Sequence, residues 1–398
     1  MNPERPLVPA CVEDYRALAQ KNLPSFLFGY LDGGSLAEKT LRDNVDAWAR
    51  QRLRQFVLRD VSAIDTRASF FGQAAAMPLA LAPVGLVGLM GRRGEVQAAR
   101  AAEAAGVPFT LCTLALCSIE EVRAAATAPF WFQLYMLRDR GIVRELLARA
   151  KAAQCSALLF TVDLARVGMR RSDIRHGMNS APTARTKLAR IGDVLGRPHW
   201  LWDVPVKGGP LVFGNLAAYV PAARNLEAFK AWVDEQFDPG VTWRDIEWLR
   251  QEWDGPLVVK GVLEVDDARM AARIGAQGVV VSNHGGRQLD GAPASADVLP
   301  RVADALASLA GSSAQRCTVL VDGGIRQGSD LVKARALGAD GALIGRPWAW
   351  ALAARGRAGV ADVLELLRAE LGSTLGLMGL AGIDAVGRSS LAVGADAV

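Results

Sequence analysis

Residues 282–291 read Ser-Asn-His-Gly-Gly-Arg-Gln-Leu-Asp-Gly and carry side chains suited to acting on a small organic acid. His284 is one of 3 histidines in the chain and can take up a proton near neutral pH. Arg287 offers a planar set of donors that fits a carboxylate. Taken singly, a histidine is more often structural than catalytic, and two glycines only mark a tight turn. Together, a base and a carboxylate clamp in one loop predict an enzyme.

The residues around this loop indicate where it lies in the fold. Gly278–Val281 is an apolar run typical of a buried strand, and similar runs recur along the chain. Helix-length segments separate most of the runs, and Gly106, Gly275 and Gly338 mark helix ends. The pattern predicts an α/β fold, the (β/α)8 TIM barrel, whose parallel strands carry active-site residues at their C-terminal ends. The predicted strands are Leu79–Ala82, Phe109–Cys112, Phe130–Leu134, Ala157–Val162, Leu257–Lys260, Val279–Ser282, Thr318–Val321 and Ala342–Ile344.

Three segments fall outside this alternation. Residues 1–60 are predicted to be mostly helical, and residues 355–380 to form a closing helix. About ninety residues separate the fourth and fifth predicted strands, a length typical of functional or mobile connections. We place an insertion at about 165–240 in a single domain spanning 1–398. Its tryptophans beside charges, as at His199–Trp202, are explained equally by a membrane interface and by packing over the barrel mouth or a subunit contact.

Composition narrows the class of protein. The net charge of +5 suits an anionic substrate and an anionic membrane surface, and it is too dispersed to favour nucleic-acid binding. No apolar run reaches the roughly 18 residues of a membrane-spanning helix, and the N-terminus lacks the apolar core of a signal peptide. The 5 cysteines form no Cys-x-x-Cys pair, which favours reduced thiols over disulfides or a metal site. These features predict a cytoplasmic protein.

Two glycine-rich loops predict a phosphate site. Asp322–Gly328 follows the seventh predicted strand, and Gly345-Arg346 follows the eighth. Loops at these positions of a barrel often hold phosphate, because backbone N–H groups, a helix N-terminus and arginines favour the anion. Such a site indicates a cofactor or a phosphosugar. Lys260 ends the fifth predicted strand, where its ammonium would stabilise negative charge on a bound cofactor or simply extend to the strand end as a structural lysine.

These motifs, in this order, resemble the FMN-dependent L-2-hydroxy-acid dehydrogenase and oxidase family. The resemblance runs from Leu23 to Gly359 and is strongest to its bacterial respiratory L-lactate dehydrogenases. Besides 282–291, it is carried by Phe26–Gly34, Ala82–Leu86, Gly91–Ala99, Trp131–Tyr135 and Phe237–Pro239.

The resemblance implies a role for each matching residue. It implies His284 as the base with Asp163 as its paired carboxylate, Arg170 and Arg287 as the clamp for the substrate carboxylate, and Tyr30 and Tyr135 as hydroxyls near the substrate. For FMN, it implies Pro83, Val84, Gly85, Cys112, Gln133, Thr161, Lys260 and Ser282 around the ring, Asp322 at the ribityl chain, and Gly324, Arg326, Gly345 and Arg346 around the phosphate.

The implied reaction is oxidation of an L-2-hydroxy acid, with L-lactate foremost and L-mandelate next, to the 2-keto acid. A membrane quinone is the implied electron acceptor, with oxygen as the alternative, in a homotetramer that is cytoplasmic or peripheral on the inner membrane. A flavin-binding or phosphate-binding barrel without this chemistry is the third interpretation.

Three positions depart from the family pattern. Cys112 replaces the Ser of many relatives, Leu114 replaces the Trp of glycolate oxidase, and Ala165 replaces a usual Pro. The smaller Leu114 leaves room beyond the substrate's second carbon and disfavours a strict glycolate enzyme.

Overall fold

The computed structural model describes residues 8–178, 183–220, 232, 235–310 and 316–392. Three helices come first, α1 (Val12–Asn22), α2 (Ser25–Asp32) and α3 (Lys39–Arg50). The prediction of mostly helical structure over 1–60 therefore holds to Arg50, within the described part. Beyond it the chain bonds to the C-terminal segment instead, with Arg54 N–H donating to Ser390 O at 2.9 Å.

The predicted barrel is confirmed. Its eight strands are parallel, and a further parallel bridge between Leu81 and Phe109 closes the ring. They are β3 (Leu79–Leu81), β4 (Thr110–Cys112), β5 (Trp131–Leu134), β6 (Ala157–Thr161), β7 (Leu257–Val262), β8 (Gly278–Val281), β9 (Thr318–Asp322) and β10 (Gly341–Ile344), preceded by an antiparallel hairpin, β1 (Ala68–Phe70) and β2 (Gln73–Ala75).

Helices surround the barrel, and part of the insertion after β6 lies outside the described residues. The helices are α4 (Gly94–Ala105), α5 (Ile119–Ala125), α6 (Arg140–Ala152), α7 (Arg171–Arg175), α8 (Ala184–Leu195), α9 (Pro198–Leu201), α10 (Trp243–Glu252), α11 (Val265–Arg273), α12 (Ser295–Ala310), α13 (Gly328–Ala336) and α14 (Arg346–Leu377). The predicted closing helix thus begins earlier than 355 and is broken at Gly356, whose φ of 61° is left-handed.

The interior of the barrel is a packed core whose floor is the β1–β2 hairpin. Phe70 and Phe71 contact Trp131 edge-on, with ring centroids 5.6 and 5.7 Å apart. Leu159 of β6 and Val280 of β8 belong to the same buried cluster. Apolar packing therefore fills the N-terminal end of the barrel and leaves polar side chains to the C-terminal end.

Candidate active site

A cleft of about 1470 Å³, including its open mouth, lies at the C-terminal ends of the strands. The site residues predicted from sequence line this cleft, with three exceptions. The exceptions, which lie behind the lining, are Asp163, Gln133 and Ser282. Each is hydrogen-bonded to a lining residue; Gln133 Nε2, for example, donates to Thr161 Oγ1 at 3.0 Å. The barrel therefore brings together residues that are scattered from Tyr30 to Arg346 in the sequence.

His284 lines the cleft and pairs with Asp163 behind it, and both side chains are partly buried. His284 Nδ1 lies 2.9 Å from Asp163 Oδ1. Burial raises the pKa of Asp163, but the contact with His284 and the charge of Lys260 outweigh burial and hold this pKa below its ordinary value. The carboxylate is therefore ionised at neutral pH and stabilises a positive charge on the imidazole.

The backbone at His284 is left-handed, with a φ of 58°, which is uncommon for a residue with a side chain. Its N–H donates to Ser282 Oγ at 3.0 Å, and Gly285 and Gly286 continue the turn with φ of 62° and 74°. This turn sets the imidazole against Asp163, so the Gly-Gly pair has a definite structural use here.

Two arginines converge beside the histidine. Arg287 donates to the carbonyls of Tyr30 and Gly33 at 2.6 and 2.9 Å, and its guanidinium lies 4.8 Å from the Tyr30 ring centroid. Arg170 lies 5.8 Å from the same centroid, and within the described residues its buried Nε has no hydrogen-bond partner. Burial, together with the charge of Arg170, lowers the pKa of Arg287 to about 10. An incoming carboxylate would relieve the repulsion between these two cations.

Tyr135 supplies a hydroxyl on the same side of the cleft. Its ring packs edge-on against Phe237, with centroids 5.3 Å apart. Burial raises the pKa of Tyr135 well above its ordinary value, so the phenol stays protonated. Cys112 behaves alike, because burial raises its pKa to about 12 and keeps a neutral thiol at the cleft wall. The Ser-to-Cys departure therefore adds no charge.

Lys260 is a buried cation held by two partners. Its Nζ lies 2.9 Å from Asp322 Oδ2 and donates to Ser282 Oγ at 3.0 Å. Burial disfavours the ammonium, but the charges of Asp322 and then Asp163 outweigh it and raise the pKa of Lys260. In the part of the chain that is described, the buried Asp322 Oδ1 lacks a hydrogen-bond partner and can accept from a ligand hydroxyl.

Two more arginines, Arg326 and Arg346, lie partly buried at the far end of the cleft. Arg346 donates to the carbonyls of Asp32, Gly33 and Gly285 at 2.9–3.2 Å. Burial, together with the charges of Arg287 and Arg326, holds the pKa of Arg346 well below its ordinary value. Such crowded cations fit a dianionic phosphate, and the unpartnered Asp322 Oδ1 fits a hydroxylated chain next to it. The cleft therefore suits FMN, with room for a small acid beside His284.

Gly324 was predicted from sequence as a phosphate-loop residue, and the structure also gives it a packing role. Its φ is 82°, and a Cβ there would lie 2.0 Å from Asn44 O on α3. Close packing of α3 on the loop therefore requires glycine at this position, whatever the loop binds.

We expect Gly324→Ala to destabilise the protein by about 2–4 kcal/mol, through the left-handed backbone and the clash with α3. Urea unfolding measures this. Gly372→Ala is the matched control, since a Cβ there would meet nothing within 4 Å. Equal stability of the two variants would contradict this account of the loop.

Sequence reasoning missed several residues that hold the site in place. Asn44 and Asn283 exchange two hydrogen bonds, each of 2.8 Å, beneath the His284 turn. Gln288 Nε2 donates to Asp163 O at 2.7 Å, which ties the histidine loop to the segment after β6. Asn283 and Gln288 lie within the decapeptide, whereas nothing in the sequence around Asn44 signals its partner.

Comparison with known proteins agrees with this interpretation of the cleft. A family model described as FMN-dependent dehydrogenase matches residues 19–393. An L-lactate dehydrogenase of Caulobacter vibrioides (strain NA1000 / CB15N) is 50% identical over 386 residues, covering 97% of this chain and 98% of its own. An L-lactate dehydrogenase of Stenotrophomonas maltophilia (strain R551-3) is 50% identical over 378 residues, covering 95% and 97%.

Solved structures agree with these matches. The monotopic membrane protein (S)-mandelate dehydrogenase superposes with a TM-score of 0.89 at 35% identity, over 96% of this chain and 99% of its own. A mandelate oxidase with (S)-2-phenylpropionate gives a TM-score of 0.78 at 38% identity, over 95% and 97%. The comparisons confirm the resemblance found in the sequence.

Proposed function

This chain belongs to the FMN-dependent dehydrogenase family, and we propose that within it the protein oxidises L-lactate to the 2-keto acid and passes the electrons to a membrane quinone. It is an enzyme for L-2-hydroxy acids, as its 50% identity to L-lactate dehydrogenases over nearly the whole chain supports. The observation that carries the proposal is the His284–Asp163 pair, 2.9 Å apart, beside two converging arginines in one cleft.

In this proposal the side chains orient the acid and move one proton. Arg170 and Arg287 hold the carboxylate, and the Tyr135 phenol donates to an oxygen of the substrate. Because His284 Nδ1 is bonded to Asp163, Nε2 faces the substrate and accepts the proton. The Asp163 carboxylate stabilises the resulting imidazolium. Binding at fixed positions removes much of the entropic barrier.

FMN would supply the capacity to accept the two electrons and the second hydrogen that the substrate loses. We assign its ring to the neighbourhood of Pro83, Val84, Gly85 and Lys260, and its phosphate to Arg326 and Arg346. Within the assignment, Lys260 would hold a positive charge beside the ring and stabilise the negative charge that the ring gains on reduction. We also propose that 1–398 works as one domain and assembles as a homotetramer.

The cleft wall beyond the clamp suits an apolar side chain on the substrate. Leu114, Leu164, Val167, Met178, Phe213 and Phe237 line this part of the cleft. An apolar wall suits the methyl group of lactate and the ring of mandelate, so the preference proposed for lactate rests on the identity to L-lactate dehydrogenases.

We expect L-lactate to bleach the bound flavin without oxygen, faster than L-mandelate or glycolate, while D-lactate leaves it yellow. Stopped-flow absorbance over these four acids measures the order. Faster bleaching by L-mandelate would move the proposal to a mandelate-type dehydrogenase, and no bleaching by any of them would leave a flavin-binding barrel without this chemistry.

An exposed apolar face on the insertion supports the membrane part of the proposal. Leu188, Ile191 and Leu195 recur at helical spacing on α8 and are 70%, 55% and 64% exposed. Trp202 and Val206 follow within about a dozen residues of the chain, and each is 59% exposed. Within the described residues, no helix is long and apolar enough to span a bilayer. The structural relative is named as a monotopic membrane protein, which accords with docking on one leaflet.

The electron acceptor separates this proposal from an oxygen-dependent oxidase, the class of the mandelate oxidase relative. We expect turnover with a soluble quinone analogue to exceed peroxide formation in air by about 100-fold or more, a difference of about 3 kcal/mol in barrier. Parallel assays with lactate as donor measure both rates. Peroxide formation at the quinone rate would favour the oxidase.

A further inference from the structure

A second cavity lies outside the barrel and shares no lining residue with the active cleft. It encloses about 1620 Å³, including its mouth. Its walls come from the end of α1, the start of α4, the segment 196–204 and the break in α14 at Gly356. We refer to it as the basic cavity, after the six cationic side chains in its lining, Lys21, Arg92, Arg93, Arg100, Arg197 and Arg355.

The cations of the basic cavity outnumber the carboxylates that neutralise them. Three are paired, Arg92 with Asp203 at 3.4 Å, Arg93 with Glu121, and Arg355 with Asp362 at 2.5 Å. Among the described residues, no carboxylate forms an ion pair with the other three. Two of these bond instead to main-chain carbonyls, Arg100 to Ala125 O at 2.8 Å and Arg197 to Leu23 O at 3.2 Å. The result is a surplus of positive charge within a concave wall, which concentrates anions.

Hydrogen bonds between separate segments hold the walls together. Asn22 Nδ2 donates to Ala353 O and Ala354 O at 3.1 and 3.0 Å. The Arg357 N–H donates to Gln97 Oε1 at 2.7 Å across the break in α14, and Trp200 Nε1 donates to Leu89 O at 2.8 Å. The first turn of α4, a helix of 12 residues, also begins at the cavity and adds its positive end. The cavity is thus a built recess.

The position of the basic cavity suggests the source of the anion. Trp200 and Asp203 in its wall belong to the same short segment as the exposed Trp202 and Val206. The cavity therefore adjoins the face proposed above to dock on the membrane. We propose that the basic cavity binds the phosphate headgroup of an anionic lipid. This inference rests on the proposed membrane docking and is independent of the proposed chemistry.

The test compares the FMN-loaded enzyme with the triple variant Lys21→Gln, Arg100→Gln, Arg197→Gln. Vesicle sedimentation measures binding to phosphatidylcholine alone and with added phosphatidylglycerol. We expect the wild type to prefer the anionic vesicles and the variant to lose about 100-fold of that affinity, since each cation near an anionic surface contributes about a factor of five. The matched control removes three exposed arginines elsewhere, as Arg273→Gln, Arg301→Gln, Arg368→Gln, and should lose less than about threefold.

Further measurements distinguish loss of lipid binding at the basic cavity from misfolding and from a general loss of membrane docking. Flavin absorbance and lactate-driven bleaching, unchanged in both triple variants, show that they fold. Equal losses in the two triple variants, or no loss in either, overturn the basic cavity as a lipid site. Calorimetric binding of inorganic phosphate, combined with unchanged vesicle binding in the cavity variant, would make it a site for free phosphate and also overturn the lipid. Leu188→Ser with Trp202→Ser tests docking itself, because it should weaken binding to both kinds of vesicle.

Discussion

His284→Gln should slow flavin reduction by L-lactate about 10²–10⁴-fold while leaving FMN bound. Glutamine keeps a polar side chain of similar reach but cannot take up the proton, and general base catalysis contributes about this factor. The cations assigned to the cofactor, Lys260, Arg326 and Arg346, are untouched by the change. Anaerobic stopped-flow absorbance gives the rate, and the flavin content of the purified variant gives the occupancy.

Asp163→Asn is the companion to that experiment. The pKa of Asp163 lies below its ordinary value, so its charge is present across the neutral range and is lost only as the pH falls through that lowered pKa. Asparagine keeps the shape and removes the charge that stabilises the imidazolium, so we expect the rate of flavin reduction to fall less than in His284→Gln.

An undiminished rate of flavin reduction in His284→Gln would remove the histidine from the mechanism.

Lys260→Met should destabilise the protein by about 3–5 kcal/mol and reduce its flavin content. The ammonium lies 2.9 Å from Asp322 Oδ2, and both side chains are less than a tenth exposed. Removing one member of a buried ion pair leaves the other charge without compensation, which costs about this much. Urea unfolding of the variant and the wild type measures the difference, and absorbance measures the flavin.

The double variant Lys260→Met, Asp322→Asn separates the ion pair from simple loss of packing. With both charges removed, part of the lost stability should return, and the coupling between the two positions follows from the double-mutant cycle. If Lys260→Met stays within about 1 kcal/mol of the wild type, the pair is not a stabilising contact in the sense described here.

The barrel could be predicted from sequence because each of its parts leaves a local pattern. Apolar runs such as Val279–Val281 and helix-ending glycines such as Gly275, whose φ is 85°, are readable within a few residues. The β1–β2 hairpin escaped this reasoning because its strands have three residues each, too short for a periodicity. Its Phe70 and Phe71 are recognisable as barrel packing only once Trp131 is placed beside them.

The candidate site, too, could be predicted only in part. Local motifs in the decapeptide and the glycine loops predict which residues belong to the site, and in the structure these residues come together in one cleft. The Asn44–Asn283 pair joins positions 239 residues apart, so it depends on how α3 packs and not on any neighbouring sequence. The roles implied for the individual side chains stay predictions until the variants above are measured.

The aromatic floor formed by Phe70, Phe71 and Trp131 has a consequence for traffic through the enzyme. Because this packing closes the N-terminal end of the barrel, ligands can enter and leave only at the C-terminal end. The hydroxy acid, its oxidised product and the electron acceptor would then use the same opening in succession.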